Sequence, residues 1–78
     1  MIQFKLSGPG SRGKPDRIIL LPSGKVLFIE FKREGGIVRP LQAHVHRELR
    51  ELGYAVGVFD DADDAIAWVR KWYDVVNN

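Results

Sequence analysis

Three side chains at the ends of two apolar runs have the types and spacing for chemistry. Asp16 opens the run that continues through Ile18, Ile19, Leu20 and Leu21, and Glu30 and Lys32 close the run that begins at Val26. Strand alternation puts Val26, Phe28, Glu30 and Lys32 on one face and Leu27, Ile29 and Phe31 on the other. Both faces are apolar until the C-terminal end, where a carboxylate and an ammonium emerge together. A charge there is costly to desolvate unless it is paired or metal-bound. If the two runs pair through the turn at Pro22 to Lys25, counting outward from Ser23 and Gly24 places Asp16 roughly opposite Phe31, between Glu30 and Lys32. Two carboxylates and one lysine then converge at one rim. Hard oxygen ligands of this kind suit Mg²⁺ or Mn²⁺, which keep several waters and accept phosphate oxygens. A lysine beside them can orient or deprotonate an attacking water, or stabilise charge growing on a scissile phosphate. The bland alternative is an ion pair at the strand end, Glu30 with Lys32 or with Arg17.

The elements that must position these groups follow from periodicity. Ile2, Phe4 and Leu6 alternate with Gln3, Lys5 and Ser7, which predicts a first strand. Gly8 to Pro15 breaks regular structure, and the runs on either side of Pro22 to Lys25 pair as a hairpin. Pro40 suits the first position of a helix carrying Leu41, Val45, Leu49 and Leu52 at helical spacing, and Gly53 stops it. With Leu41 at 0° and about 100° per residue, this stripe spans 0° to about 80°, Gln42 lies near 100° and His46 near 140°. Gln42 can thus reach the sheet rim. His46 reads as a surface histidine beside the core, contact with phosphate or metal being the sharper alternative. His44 and His46 point in different directions and share no metal site; Arg47 and Arg50, with Glu48 and Glu51, read as a solvated face. Tyr54 to Phe59 predicts another strand, and Asp60 or Asp61 caps a last helix whose apolar positions spread over half its circumference. Trp68 and Trp72 on that helix either pack in the fold or lie in a subunit interface. The expectation is one α/β domain over residues 1–78, in the order β-ββ-α-β-α, with helices packed on a mixed sheet.

Seventy-eight residues leave room for one small domain, and a core of this size is often completed by a partner subunit. Apolar residues at 45% and charged residues at 28% argue against disorder, and zero cysteines exclude disulfides, a thiolate zinc site and a cysteine nucleophile. No window has the apolar length of a membrane span and the polar start lacks a signal-peptide core, so a soluble cytoplasmic protein without a membrane partner is expected. The net charge of +2 hides an asymmetry: residues 1–39 carry eight basic and three acidic side chains, residues 40–78 four basic and seven acidic. The basic half faces any polyanion. Gly8 to Pro15 matches most of a phosphate loop, but Pro15 stands where the magnesium-binding hydroxyl belongs and a strand follows where a helix is needed, so no nucleotide cofactor is expected. Lys5, Arg12, Lys14, Arg17, Lys25, Arg33 and Arg39 are instead candidates for contact with a nucleic-acid backbone.

Pro15-Asp16, Glu30-Phe31-Lys32 and a following helical Gln42 together resemble the PD-(D/E)XK nuclease superfamily, whose core is that of restriction endonucleases. More narrowly, Gly13-x-Pro15-Asp16, Ile29-Glu30-Phe31-Lys32 and Gln42 ahead of Leu49 and Gly53 resemble the VRR-NUC family, which includes short stand-alone phage and bacterial proteins. The resemblance covers about Ser7 to Ala65. It implies a Mg²⁺- or Mn²⁺-dependent phosphodiesterase in which Asp16, Glu30 and the Phe31 backbone carbonyl hold the metal, Lys32 positions the nucleophilic water and Gln42 supports the site. It also implies a homodimer acting on branched DNA such as a Holliday junction. Family members often carry a helix ahead of the first strand, whereas this chain starts in the strand, leaving a sheet face for a second subunit to cover.

Overall fold

In the computed structural model, which describes residues 2–5 and 14–77 and not the side chains of Ile2, Phe4 and Lys5, four strands form one sheet. They are β1 (Ile2–Lys5), β2 (Arg17–Leu20), β3 (Val26–Phe31) and β4 (Ala55–Phe59), in the order β1-β2-β3-β4. The first three are antiparallel neighbours; β4 lies parallel to β3, which requires a long crossover, supplied by helix α1 (Pro40–Glu51). Helix α2 (Ala62–Val76) follows β4. The α/β class with a mixed sheet is as the sequence predicts. Among the described residues no helix is long and apolar enough to cross a membrane.

The hairpin between β2 and β3 turns through a single 3₁₀ turn, Pro22–Gly24, closed by Leu21 N donating to Lys25 O at 2.8 Å. Ser23 and Gly24 both have positive φ, 64° and 75°, a conformation that suits the glycine. Because this loop centres on one residue, Ser23, the register pairs Arg17 with Ile29 and Leu20 with Val26. Extending it by one step sets Asp16 opposite Glu30. The count from a two-residue turn, which put Asp16 opposite Phe31, is thereby corrected, and both carboxylates leave the sheet on the same face.

One face of the sheet builds the core against α2. Ile19, Leu27 and Ile29 pack with Leu21, Ala65 and Val69, and Phe59, Trp68, Trp72 and Val76 close the edges. Each such buried aliphatic contributes about 1.5–3 kcal/mol relative to exposure. Asp61 caps α2, accepting from Asp63 N at 2.9 Å, and Asp63 and Asp64 complement the helix dipole in the first turn. Trp68 meets the Phe59 ring at 5.4 Å between centroids, and Lys25 Nζ sits 4.0 Å over Trp72. Gly57 makes room for this packing: a Cβ there would come within 2.5 Å of the Phe59 ring. Both indoles thus pack against the chain's own core, whereas Ile66, Tyr73 and Val75 of the same helix stay exposed.

The opposite face carries α1, and here the sequence expectation fails. Leu41 and Leu52, 44% and 73% exposed, stand outside the contact, while His46, 2% exposed, is driven into it. The helix is rotated so that its inner arc runs through Gln42, Val45, His46 and Leu49. Arg50, expected on a solvated face, donates from Nη2 to Val56 O at 3.0 Å and ties the end of α1 to β4. The polar edge of the helix thereby lies over the buried Glu30 carboxylate, which an aliphatic stripe would leave without a polar neighbour on that side. Arg47 stays exposed, and His44 pairs with Glu48 one turn on. Helix α1 ends where predicted, with Gly53 at φ 96° donating to Arg50 O at 3.0 Å. Tyr54 lies outside β4, exposed, with its ring edge-on to Phe28. On this face Ile18, Leu20, Val26 and Phe28 remain half-buried.

Candidate functional site

Asp16 stands just ahead of β2, where buried Pro15 turns the chain into the sheet. Its Oδ2 accepts the Phe31 backbone N–H at 2.8 Å, which fixes the carboxylate at the end of β3. Glu30, facing it across the hairpin, is only 4% exposed although it is charged in water. Burial, a hydrogen bond shared with the Asp16 carboxyl and repulsion from its charge together push the Glu30 pKa up from 4.5 to about 7. Two carboxylates this close resist ionising together. A divalent cation between them would remove that conflict.

The donor set fits a hard cation. N–H and C=O of one strand residue point to the same side, so Phe31, whose N–H reaches Asp16, turns its carbonyl toward the same edge. Among the described residues no cluster of three His, Cys, Asp or Glu side chains is placed to hold a metal. A cation here would therefore be held by the two carboxylates, the carbonyl and water, as suits Mg²⁺ or Mn²⁺ better than zinc.

Beside the carboxylates opens a pocket of about 520 Å³ lined by Glu30, Phe31, Lys32, Arg33, Arg39, Gln42 and the loop between β3 and α1. Lys32 does not pair with Glu30; its Nζ donates to Gly36 O at 3.2 Å. The loop is shaped for this, with Gly36 N donating to Arg33 O at 2.7 Å and Gly35 at φ 72°. Neither of the expected ion pairs, Glu30 with Lys32 or with Arg17, forms; the basic group facing Glu30 is His46. Gln42 lines the pocket while its Oε1 accepts Arg39 N at 3.0 Å, so the same side chain starts the helix and faces the site. Arg33 and Arg39 are exposed on the pocket rim. Arg17 lies on the other face of the sheet, beside Arg70 in a second pocket of about 540 Å³, and Lys14 is exposed. Arg12, most of the glycine-rich loop and the Lys5 side chain fall outside the described residues.

His46, read from sequence as a surface histidine with contact to phosphate or metal as the alternative, is buried against Glu30. Its Nε2 lies 3.6 Å from Glu30 Oε1, and neither atom has a hydrogen-bond partner. Burial lowers the His46 pKa from 6.5, and the positive charge of Arg50 lowers it further, so the imidazole is neutral. The i, i+4 spacing from Gln42 puts both on one helix face; the rotation of α1 turns that face inward.

No protein-family model matches the chain, and no solved structure does. Among curated proteins, "Putative nuclease p44" of Acyrthosiphon pisum secondary endosymbiont phage 1 is 44% identical over 62 residues, spanning 80% of this chain and 67% of that protein. The chain belongs to the family of this phage protein.

Proposed function

We propose that the protein is a Mg²⁺- or Mn²⁺-dependent DNA endonuclease of the VRR-NUC type, on a restriction-endonuclease-like core. The observation that carries this reading is the pairing of Asp16 with Glu30 across the hairpin, at the mouth of the basic pocket. The bound ion would polarise a phosphodiester and lower the pKa of a coordinated water. Asp16, Glu30 and the Phe31 carbonyl hold it. Lys32 reaches the same pocket on a side chain steadied by Gly36 O, where its ammonium orients the attacking water or meets charge developing on phosphate. Gln42 supports the site from the helix, and Arg33 and Arg39 hold the flanking backbone, contacts that position a strand without reading its sequence. Lys5, Arg12, Lys14 and Arg17 extend the basic surface.

Branched DNA, including four-way junctions, is the substrate class favoured by the resemblance, with a homodimer presenting two sites about a twofold axis. The half-buried apolar face of Ile18, Leu20, Val26 and Phe28 supports the dimer better than Trp68 and Trp72, which are engaged within the chain. The test is cleavage of labelled four-way junction and linear duplex, with either ion and with chelator, by the wild type and by Asp16→Ala, Glu30→Ala and Lys32→Ala. Ion-dependent cutting that the three substitutions abolish is expected, faster on the junction. No cutting of either substrate, or undiminished cutting by all three variants, overturns the reading.

A further inference from the structure

We propose that His46 is the positioning residue of the metal site, donating a hydrogen bond from Nε2 to Oε1 of Glu30 and so fixing this carboxylate for the cation. The inference rests on the metal-dependent reading above and adds to it a residue that neither the site motifs nor the relative's name supplies.

A buried polar atom without a partner calls for an explanation, and among the described residues the two such side-chain atoms face each other at 3.6 Å. A shift of about 0.7 Å brings them to ordinary hydrogen-bond distance. The direction of the bond is set by chemistry. A carboxylate bound to a cation is ionised and accepts only, whereas a neutral imidazole can carry its proton on Nε2 and donate. One oxygen of Glu30 is then anchored to the helix and the other is left for the ion.

The imidazole has little freedom to do otherwise. Helix α1 is tied to the sheet by Arg50 reaching Val56 O, and β4 lies directly beside β3, Val58 pairing with Glu30. His46 lies one turn before Arg50 on this helix, 2% exposed. His46 takes the innermost position of the helix, its one buried residue. In a core without other polar groups to satisfy, that choice has a reason if the carboxylate beneath must be held ionised and in one orientation.

The test is binding of Mn²⁺ to the purified 78-residue protein, followed by loss of the free-ion electron paramagnetic resonance signal, for the wild type, His46→Leu, His46→Gln and Glu30→Gln. His46→Leu keeps the bulk and removes the donor, so affinity should fall on the order of 10–100-fold. His46→Gln places an amide N–H near the position of Nε2 and should recover most of the loss. A residue that merely fills the core would show no such rescue. In the wild type, the His46 Nε2–H resonance should move downfield on adding Mg²⁺ and stay put in Glu30→Gln, a readout that remains if the leucine variant does not fold. His46→Leu binding as tightly as the wild type, with Glu30→Gln not binding, overturns the His46 proposal and leaves the metal site standing. An unmoved resonance in a wild type that binds Mg²⁺ does the same. Wild type that binds no Mn²⁺ overturns the metal reading, and the role of His46 with it.

Discussion

Replacing Glu30 by Gln should make the metal-free protein more stable at neutral and alkaline pH, although it alters the most buried acidic group of the site. The native state raises the Glu30 pKa from 4.5 to about 7, so it holds the proton more tightly than the unfolded chain does. Stability linked to that proton is complete below pH 4.5 and is lost as the pH rises through 7. At about 1.4 kcal/mol per pKa unit, the loss approaches about 3 kcal/mol by pH 8. Glutamine carries no titrating proton, and its amide can donate to Asp16. His46 works in the opposite sense: its lowered pKa gives stability that is present above 6.5 and lost as the pH falls. Because His46 faces Glu30 at 3.6 Å, its contribution shifts with the substitution too, and the pH-dependent gap between the two proteins reports on the coupled site. Thermal unfolding in chelator at pH 5 and pH 8 measures it. The advantage of Glu30→Gln should grow between these values by an amount worth roughly 10 °C or more in a domain of this size. Adding Mn²⁺ at pH 8 should stabilise the wild type and not the variant. A stability gap that stays constant with pH, or a wild type that gains on the variant at pH 8, would refute the coupling of the two carboxylates.

Two further outcomes test the frame around the site. Asp61→Ala removes the cap on α2 and should cost about 1 kcal/mol, lowering the unfolding midpoint by about 4–8 °C; an unchanged midpoint would mean that Asp63 N finds another acceptor. Sedimentation at tens of micromolar should give twice the mass of one chain, and Ile18→Lys on the half-buried face should give monomers; a monomeric wild type contradicts the dimer.

Much of the frame was legible because it rests on local signals. Pro40 and Gly53 bracket α1, Asp61 caps α2, and alternation from Val26 assigns the two faces of β3. These depend on a residue's own backbone preference. The register of Asp16 was not legible to the last residue, because a loop of two or three residues at Pro22–Lys25 looks the same in sequence and shifts the pairing by one. The rotation of α1 was hidden for a different reason. Hydropathy ranks Leu41 and Leu52 above His46, yet burial there answers to a charge on another strand, which helical periodicity alone does not sense. The roles of Asp16, Glu30 and Lys32 came from short motifs; their contacts, to Phe31 N, His46 and Gly36 O, needed the fold.

The central claim is that Asp16 and Glu30 hold a catalytic cation. Glu30→Gln tests it most directly, because this variant should be at least as stable as the wild type at pH 8 and lost activity would not reflect unfolding. Cleavage of labelled DNA by the two proteins, with Mn²⁺ and with chelator, is the measurement. Cutting by the wild type only with the ion, and a fall of roughly 100-fold or more in the variant, is the predicted result, since a metal ion contributes several kcal/mol to the transition state. Equal cutting by the variant, or cutting that persists in chelator, would contradict the account.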